Sequence, residues 1–193
     1  MKITGQKAVF LDRDGTINID KGYVYRREDF EYMEGAVEAL KKLSEAGFLL
    51  VVITNQSGIA RGYYTKDDFF NLNQWMKEDL KTRGIEIAAT YFCPHLPGGK
   101  VKEYDAECNC RKPKTSLFWQ AAEDLGIDMN RSYAVGDKLR DLSICQESGV
   151  MGILLSREGE SSENVIQTDS WKSVAEIILG RERIEDFSIW RAN

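Results

Sequence analysis
Two rhythms of apolar residues alternate along the chain. Short apolar runs recur at KAVFLD (7–12), FLLVVIT (48–54), IAATYF (87–92), SYAVGD (132–137) and VMGILLS (150–156). The second is continuous and rich in β-branched residues, as a strand buried on both faces is. Helical spacing lies between the runs. GAVEALKKLSEAGF places Val37, Leu40 and Leu43 on one face, with Gly47 as its stop. TKDDFFNLNQWMKEDLKTRG opens on Thr65 and Asp68, a capping-box pair, and closes on Gly84. Residues 114–125, 139–147 and 171–179 also read as helices. Strands that alternate with helices predict an α/β fold, a mainly parallel sheet with helices on both faces. Residues 16–33 are irregular and rich in aromatics, and 157–169 are polar; both read as loops. The tail 181–193 carries no legible pattern. No repeat or low-complexity linker divides the chain, so one domain over residues 1–193 is expected.

Composition narrows the class. Of 193 residues, 42% are apolar and 30% charged, which is enough to bury a core without covalent staples. The formal net charge is −5 and no dense Lys/Arg stripe is present, which argues against duplex nucleic acid as a partner. A locally basic pocket for an anionic small molecule remains compatible with that charge. No run reaches the length of a membrane span, and the apolar stretch near the N-terminus is too short for a secretory signal. The expectation is therefore a cytoplasmic monomer that does not engage membranes and whose thiols stay reduced.

Candidate chemistry sits where the apolar runs end. FLDRDGT places Asp12 at the end of the first strand, with Asp14 two residues on and Gly15 for a sharp turn. In open α/β sheets ligands bind beyond the carboxyl ends of the strands. Two acids there could divide the work, one as nucleophile and metal ligand, the other as acid and base. Alone, the stretch reads better as an ordinary turn. Other strand ends change that reading: Thr54 and Asn55 close VVITN, Asp137 closes YAVGD, and Lys112 lies in a loop that leads into a helix. Acid, hydroxyl, ammonium and acid thus recur in chain order and converge on one rim of the sheet.

FLDRDGT, ITN, the lysine of CRKPK and VGDKLRD resemble, in that order, the four motifs of the haloacid-dehalogenase-like (HAD) phosphotransferases. The resemblance implies a Rossmann-like HAD fold without a large cap. It implies Asp12 as the nucleophile that becomes phosphorylated, Asp14 as acid and base, and Thr54 and Lys112 as groups that stabilise the transferring phosphoryl. It also implies Mg²⁺ held by Asp12, the Asp14 main-chain carbonyl and Asp137, with Asp141 placed to orient Asp137 or a metal-bound water. The physics agrees. A carboxylate that approaches a phosphate at ~4 Å meets about 4 kcal/mol of repulsion per charge pair at an effective dielectric of ~20. Cations offset that cost.

The loop CPHLPGGKVKEYDAECNCRK concentrates the remaining chemistry. Cys93 and His95 form one pair, and Cys108 and Cys110 another; His95 is the only histidine. Three thiolates and an imidazole suit tetrahedral zinc, and with four protein ligands no position stays open, so the site reads as structural. The one-residue spacing within each pair departs from the common C-x2-C finger. A disulfide between Cys108 and Cys110 would close too tight a ring. Cys145 reads as an apolar core residue. If His95 binds metal, no imidazole remains for proton transfer, which again leaves Asp14.

This loop at about residues 93–110 resembles a HAD subgroup of D,D-heptose 1,7-bisphosphate phosphatases and histidinol phosphatases. DRDGTIN, GYV, TNQSGIARG, CRKP and VGDKL are similar to the heptose branch. That resemblance implies a phosphorylated sugar as substrate and cleavage of the 7-phosphate of D-glycero-D-manno-heptose 1,7-bisphosphate. It implies substrate contacts from Asp20, Lys21, Gly22, Tyr23, Thr54, Asn55, Gln56, Ser57, Arg111, Lys112 and Lys138. Arg111 would hold the phosphate that is not cleaved. The alternatives are a histidinol-phosphate phosphatase or another small phosphate monoesterase, and a non-catalytic zinc-stabilised binding module.

Overall fold
The computed structural model describes residues 5–157 and 164–191, with side chains of the last helix through 182. Its six strands are β1 (Ala8–Leu11), β2 (Leu49–Asn55), β3 (Ile87–Cys93), β4 (Tyr133–Gly136), β5 (Met151–Leu155) and β6 (Val165–Thr168). They form one parallel sheet in the order β3-β2-β1-β4-β5-β6. The helices are α1 (Ala36–Glu45), α2 (Ser57–Ala60), α3 (Lys66–Thr82), α4 (Ser116–Leu125) and α5 (Trp171–Arg191).

The two-residue period of the strands divides the core. Val9 and Leu11 of β1, with Leu50 and Val52 of β2, face Leu40, Leu43, Met76, Leu80 and Trp171. Ala8 and Phe10, with Val51 and Ile53, face Phe118, Ala121 and Leu142 on the other side. Helices α1, α3 and α5 thus cover one face, and α4 with the 3-10 segment Leu139–Gln146 covers the other. The sheet is buried on both faces, which is why β1 and β2 are almost uniformly apolar. Thr65 and Asp68 form the expected capping box at the start of α3: the Asp68 amide donates to Thr65 Oγ1 at 3.1 Å, and the Thr65 amide to Asp68 Oδ2 at 2.8 Å.

Three elements differ from the sequence expectation. Residues 165–168 are not part of a loop but form β6, an edge strand that pairs with β5. Only Val165 of VIQT is buried, so one strand neighbour and a half-exposed face left too little apolar signal to read. Residues 139–146 coil as a 3-10 helix. The short helix α2 was not legible either, because four residues hold no period.

Candidate active site
The strand order turns back between β1 and β4, and in open α/β sheets that is where a crevice opens. Asp12 follows β1 and Asp137 follows β4; the Asp12 amide donates to the Val135 carbonyl at 3.0 Å, which stitches the two strand ends together. The turn after Asp14 passes so close to Asp137 that a Cβ on Gly15 would lie 2.6 Å from its Oδ2, and Gly15 has φ +87°. Glycine there is a condition for bringing the two acids to one point.

Lys112 arrives from the loop before α4 and is buried. Its ammonium donates to Asp12 Oδ1 at 2.7 Å and to the Ile53 carbonyl at 2.7 Å, and lies 2.8 Å from Asp141 Oδ1. The Asn55 side chain brackets the Lys112 main chain, donating to its carbonyl at 3.1 Å and accepting from its amide at 3.0 Å. Burial pushes the Asp12 carboxyl up to about 6 in spite of Lys112, with Asp141 and Asp14 adding to the rise. Burial pulls Lys112 the other way, but Asp12 and Asp141 hold it above the ordinary lysine value. Burial also raises Asp137.

Ligand atoms of Asp12, Asp137 and Asp141 lie within 4.8 Å of one another. Asp137 Oδ1 is buried and has no hydrogen-bond partner among the described residues. A buried carboxylate oxygen left unsatisfied beside two more carboxylates fits a hard divalent cation such as magnesium.

Asp14 points into the same cleft and is held from several sides. Gln56 Nε2 donates to Asp14 Oδ2 at 3.0 Å and to Thr54 Oγ1 at 2.9 Å. Tyr64 donates its hydroxyl to Gln56 Oε1, and burial raises the Tyr64 phenol above its ordinary value, so the proton stays on it. Arg13 and Asn18 also donate to the Asp14 carboxylate.

The cleft above these residues is about 380 Å³. Asp12, Asp14, Asp20, Gly22, Tyr23, Thr54, Asn55, Gln56, Ser57, Arg111 and Lys138 line it, together with Arg61, Tyr64, Arg140 and Asp141. Lys112 lies beneath its floor, and Lys21 turns away to Glu31 at 2.9 Å. Gly22 donates its amide to Asp20 Oδ1 at 2.9 Å, a tight turn that swings Tyr23 over the mouth. Tyr23 is exposed and rests edge-on against Tyr63 at 4.8 Å between ring centroids.

The cysteine–histidine loop gathers beside this cleft. Cys93 Sγ lies 3.6 Å from Cys108 Sγ and 3.8 Å from His95 Nδ1, and His95 Nδ1 lies 3.3 Å from Cys110 Sγ. Tetrahedral zinc with bonds of about 2.0–2.3 Å sets its ligand atoms roughly 3.4–3.8 Å apart, so these four residues fit that ion. None of the four cysteines is in a disulfide. Burial pushes the Cys145 thiol up to about 12, as for an inert core residue. Arg111 reaches back and donates to the His95 carbonyl at 3.3 Å.

Comparison with known proteins gives the arrangement its family. Residues 7–149 match the model of the family described as polynucleotide kinase 3 phosphatase. A D-glycero-beta-D-manno-heptose-1,7-bisphosphate 7-phosphatase of Haemophilus ducreyi is 51% identical over 158 residues, 81% of this chain and 86% of that protein. The chain belongs to the HAD-like heptose bisphosphate phosphatase family. The protein of the same name from Escherichia coli K12 is 46% identical over 79% of this chain and 80% of its own length. The D,D-heptose 1,7-bisphosphate phosphatase of B. bronchiseptica, solved with magnesium and phosphate, superposes with a TM-score of 0.79 at 29% identity, covering 91% of this chain and 99% of that one. The protein is thus a phosphoric monoester hydrolase, built on the six-stranded Rossmann-like sheet of HAD phosphatases.

In this phosphatase, sequence reasoning missed the support around the acids. Arg13 and Asn18 lie inside DRDGTIN but were given no role, because an arginine between two aspartates reads as solvated; Tyr64 carried no motif signal, because a tyrosine in a loop reads as packing. Arg61 and Arg140 line the cleft and were not singled out either. Only proximity in the folded chain reveals them.

Proposed function
We propose that this chain is a magnesium-dependent phosphatase that removes the 7-phosphate of D-glycero-β-D-manno-heptose 1,7-bisphosphate through a phospho-aspartate on Asp12. The substrate assignment, including the β anomer, rests on the name shared by relatives 43% to 51% identical to this chain. The observation that carries the mechanism is the buried Asp12–Lys112–Asp141 arrangement opposite Asp14 on one cleft.

In this reading Asp12 attacks phosphorus while Thr54 holds the transferring oxygens, and Lys112, paired to Asp12 from beneath the floor, offsets the negative charge at the centre. As the bond from phosphorus to the sugar oxygen breaks, Asp14 gives that oxygen its proton. Asp14 then takes a proton from the water that attacks the phospho-aspartate, which returns Asp12 as carboxylate and releases phosphate. Magnesium, held by Asp12, Asp137 and the Asp14 carbonyl, would neutralise charge between nucleophile and phosphate. Arg111 and Lys138 face the cleft and would grip the spectator phosphate, with Asp20, Gly22, Tyr23 and Ser57 around the sugar. Zinc in the loop would be structural.

Steady-state kcat/KM on the α and β bisphosphates and on histidinol phosphate tests the substrate. The β bisphosphate should be fastest; faster cleavage of histidinol phosphate would overturn the assignment. Asp12→Asn should lose at least roughly a thousandfold in kcat, and substantial residual turnover would sink the covalent mechanism.

A further inference from the structure
We infer that Arg13 is a positioning residue for the proton transfer, a guanidinium that holds the Asp14 carboxylate in the orientation that serves the leaving oxygen. The inference rests on Asp14 acting as the acid and base. Arg13 stands between the two acids of the motif and touches no cleft. It is 1% exposed, and a guanidinium so deeply buried destabilises the fold unless its charge is paired. Its Nη1 has no hydrogen-bond partner among the described residues, and the pairing is through Nη2 and Nε, almost wholly with Asp14. Nη2 donates to Asp14 Oδ1 at 2.9 Å and Oδ2 at 2.8 Å, and Nε donates to Oδ2 at 3.2 Å.

The guanidinium is itself fixed. Nη2 also donates to the Val24 carbonyl at 2.7 Å, and the Phe69 ring lies under its face with the centroid 5.7 Å away. Asp14 is then closed from other directions by Gln56 Nε2 at 3.0 Å and Asn18 Nδ2 at 3.1 Å. A carboxylate on a turn would ordinarily rotate about two side-chain bonds. A planar fork on one side and two amides on others leave it one plane. A lysine at position 13 could neutralise the charge but not set that plane.

A purely structural arginine and a positioning arginine predict different losses. Proton donation matters for a sugar alkoxide, a poor leaving group, and hardly at all for nitrophenolate. The value of kcat/KM reports the step in which the phosphate leaves its alcohol, before the phospho-enzyme is hydrolysed. Arg13→Lys and Asp14→Asn are therefore compared with the parent on heptose bisphosphate and on 4-nitrophenyl phosphate, with thermal melts alongside. Arg13→Lys should lose roughly tenfold or more beyond its loss on the aryl phosphate, in the same sense as Asp14→Asn. If Asp14→Asn loses equally on both substrates, the assignment of Asp14 as acid fails. If Asp14→Asn discriminates while Arg13→Lys loses equally on both, Arg13 is only structural and the inference is overturned. Should the melt show Arg13→Lys unfolded, Arg13→Gln removes the charge and the fork at the same position and is read by the same criterion: selective loss supports positioning, and equal loss overturns it.

Discussion
At Lys112 one buried ammonium is shared by Asp12 at 2.7 Å and Asp141 at 2.8 Å. Breaking a buried ion pair from one side costs about 3–5 kcal/mol, because the remaining charge has no counter-charge. Lys112→Met should therefore lower the stability of the metal-free protein by about that amount. Chemical denaturation would measure it; a variant as stable as the parent would show that water already reaches Asp12. The same residue illustrates what a motif conveys. FLDRDGT and CRKP announce an aspartate and a lysine, but not that the lysine lies beneath the cleft with its main chain bracketed by Asn55.

At the scale of elements, the capping box of α3 sits at the entrance to the aromatic wall of the cleft, just after Tyr64. Thr65→Ala should destabilise the protein by about 1 kcal/mol. The Thr65 amide, then its hydroxyl, hold the Asp68 carboxyl below the ordinary aspartate value. A lowered folded value means that the stabilisation is full above the unfolded aspartate value and is lost as pH falls through the folded one. Thr65→Ala should accordingly cost less in strong acid than at neutral pH. Denaturation curves at the two pH values check the sign, and an equal cost at both would assign the loss to the bond the hydroxyl accepts from the Asp68 amide rather than the one it donates to the carboxylate. This box was legible because its spacing is local. Strand β6 was not, because an edge strand with one buried residue has no pattern until β5 supplies its neighbour.

For the whole molecule, the cysteine–histidine cluster and the cleft are mechanically joined. Arg111 follows Cys110 directly and donates to the His95 carbonyl, while the Lys114 ammonium donates to the Cys108 carbonyl. A zinc ion bound there would anchor a long loop that buries few large side chains of its own. Cys108→Ser should lose zinc by elemental analysis and melt at lower temperature. Its KM for the bisphosphate should rise more than its kcat falls, because Arg111 would no longer be held over the cleft while Asp12 and Asp14 keep their places beyond the end of β1. A variant that keeps zinc, or loses kcat with KM unchanged, would break that link. Among the described residues no helix is long and apolar enough to cross a membrane.

The sequence alone determined the parallel α/β fold, the strand ends that carry Asp12, Thr54 and Asp137, and the clustering of three cysteines with the single histidine. Those features follow from periodicity and from residues near in the chain, whose chemistry is written in their order. Tertiary structure decided what faces what. It brought Lys112 a hundred residues along the chain to Asp12, left one oxygen of Asp137 without a partner, and turned Arg13 inward onto Asp14. Such contacts depend on strand order and on the direction in which each side chain leaves its turn, and neither has a local period to read.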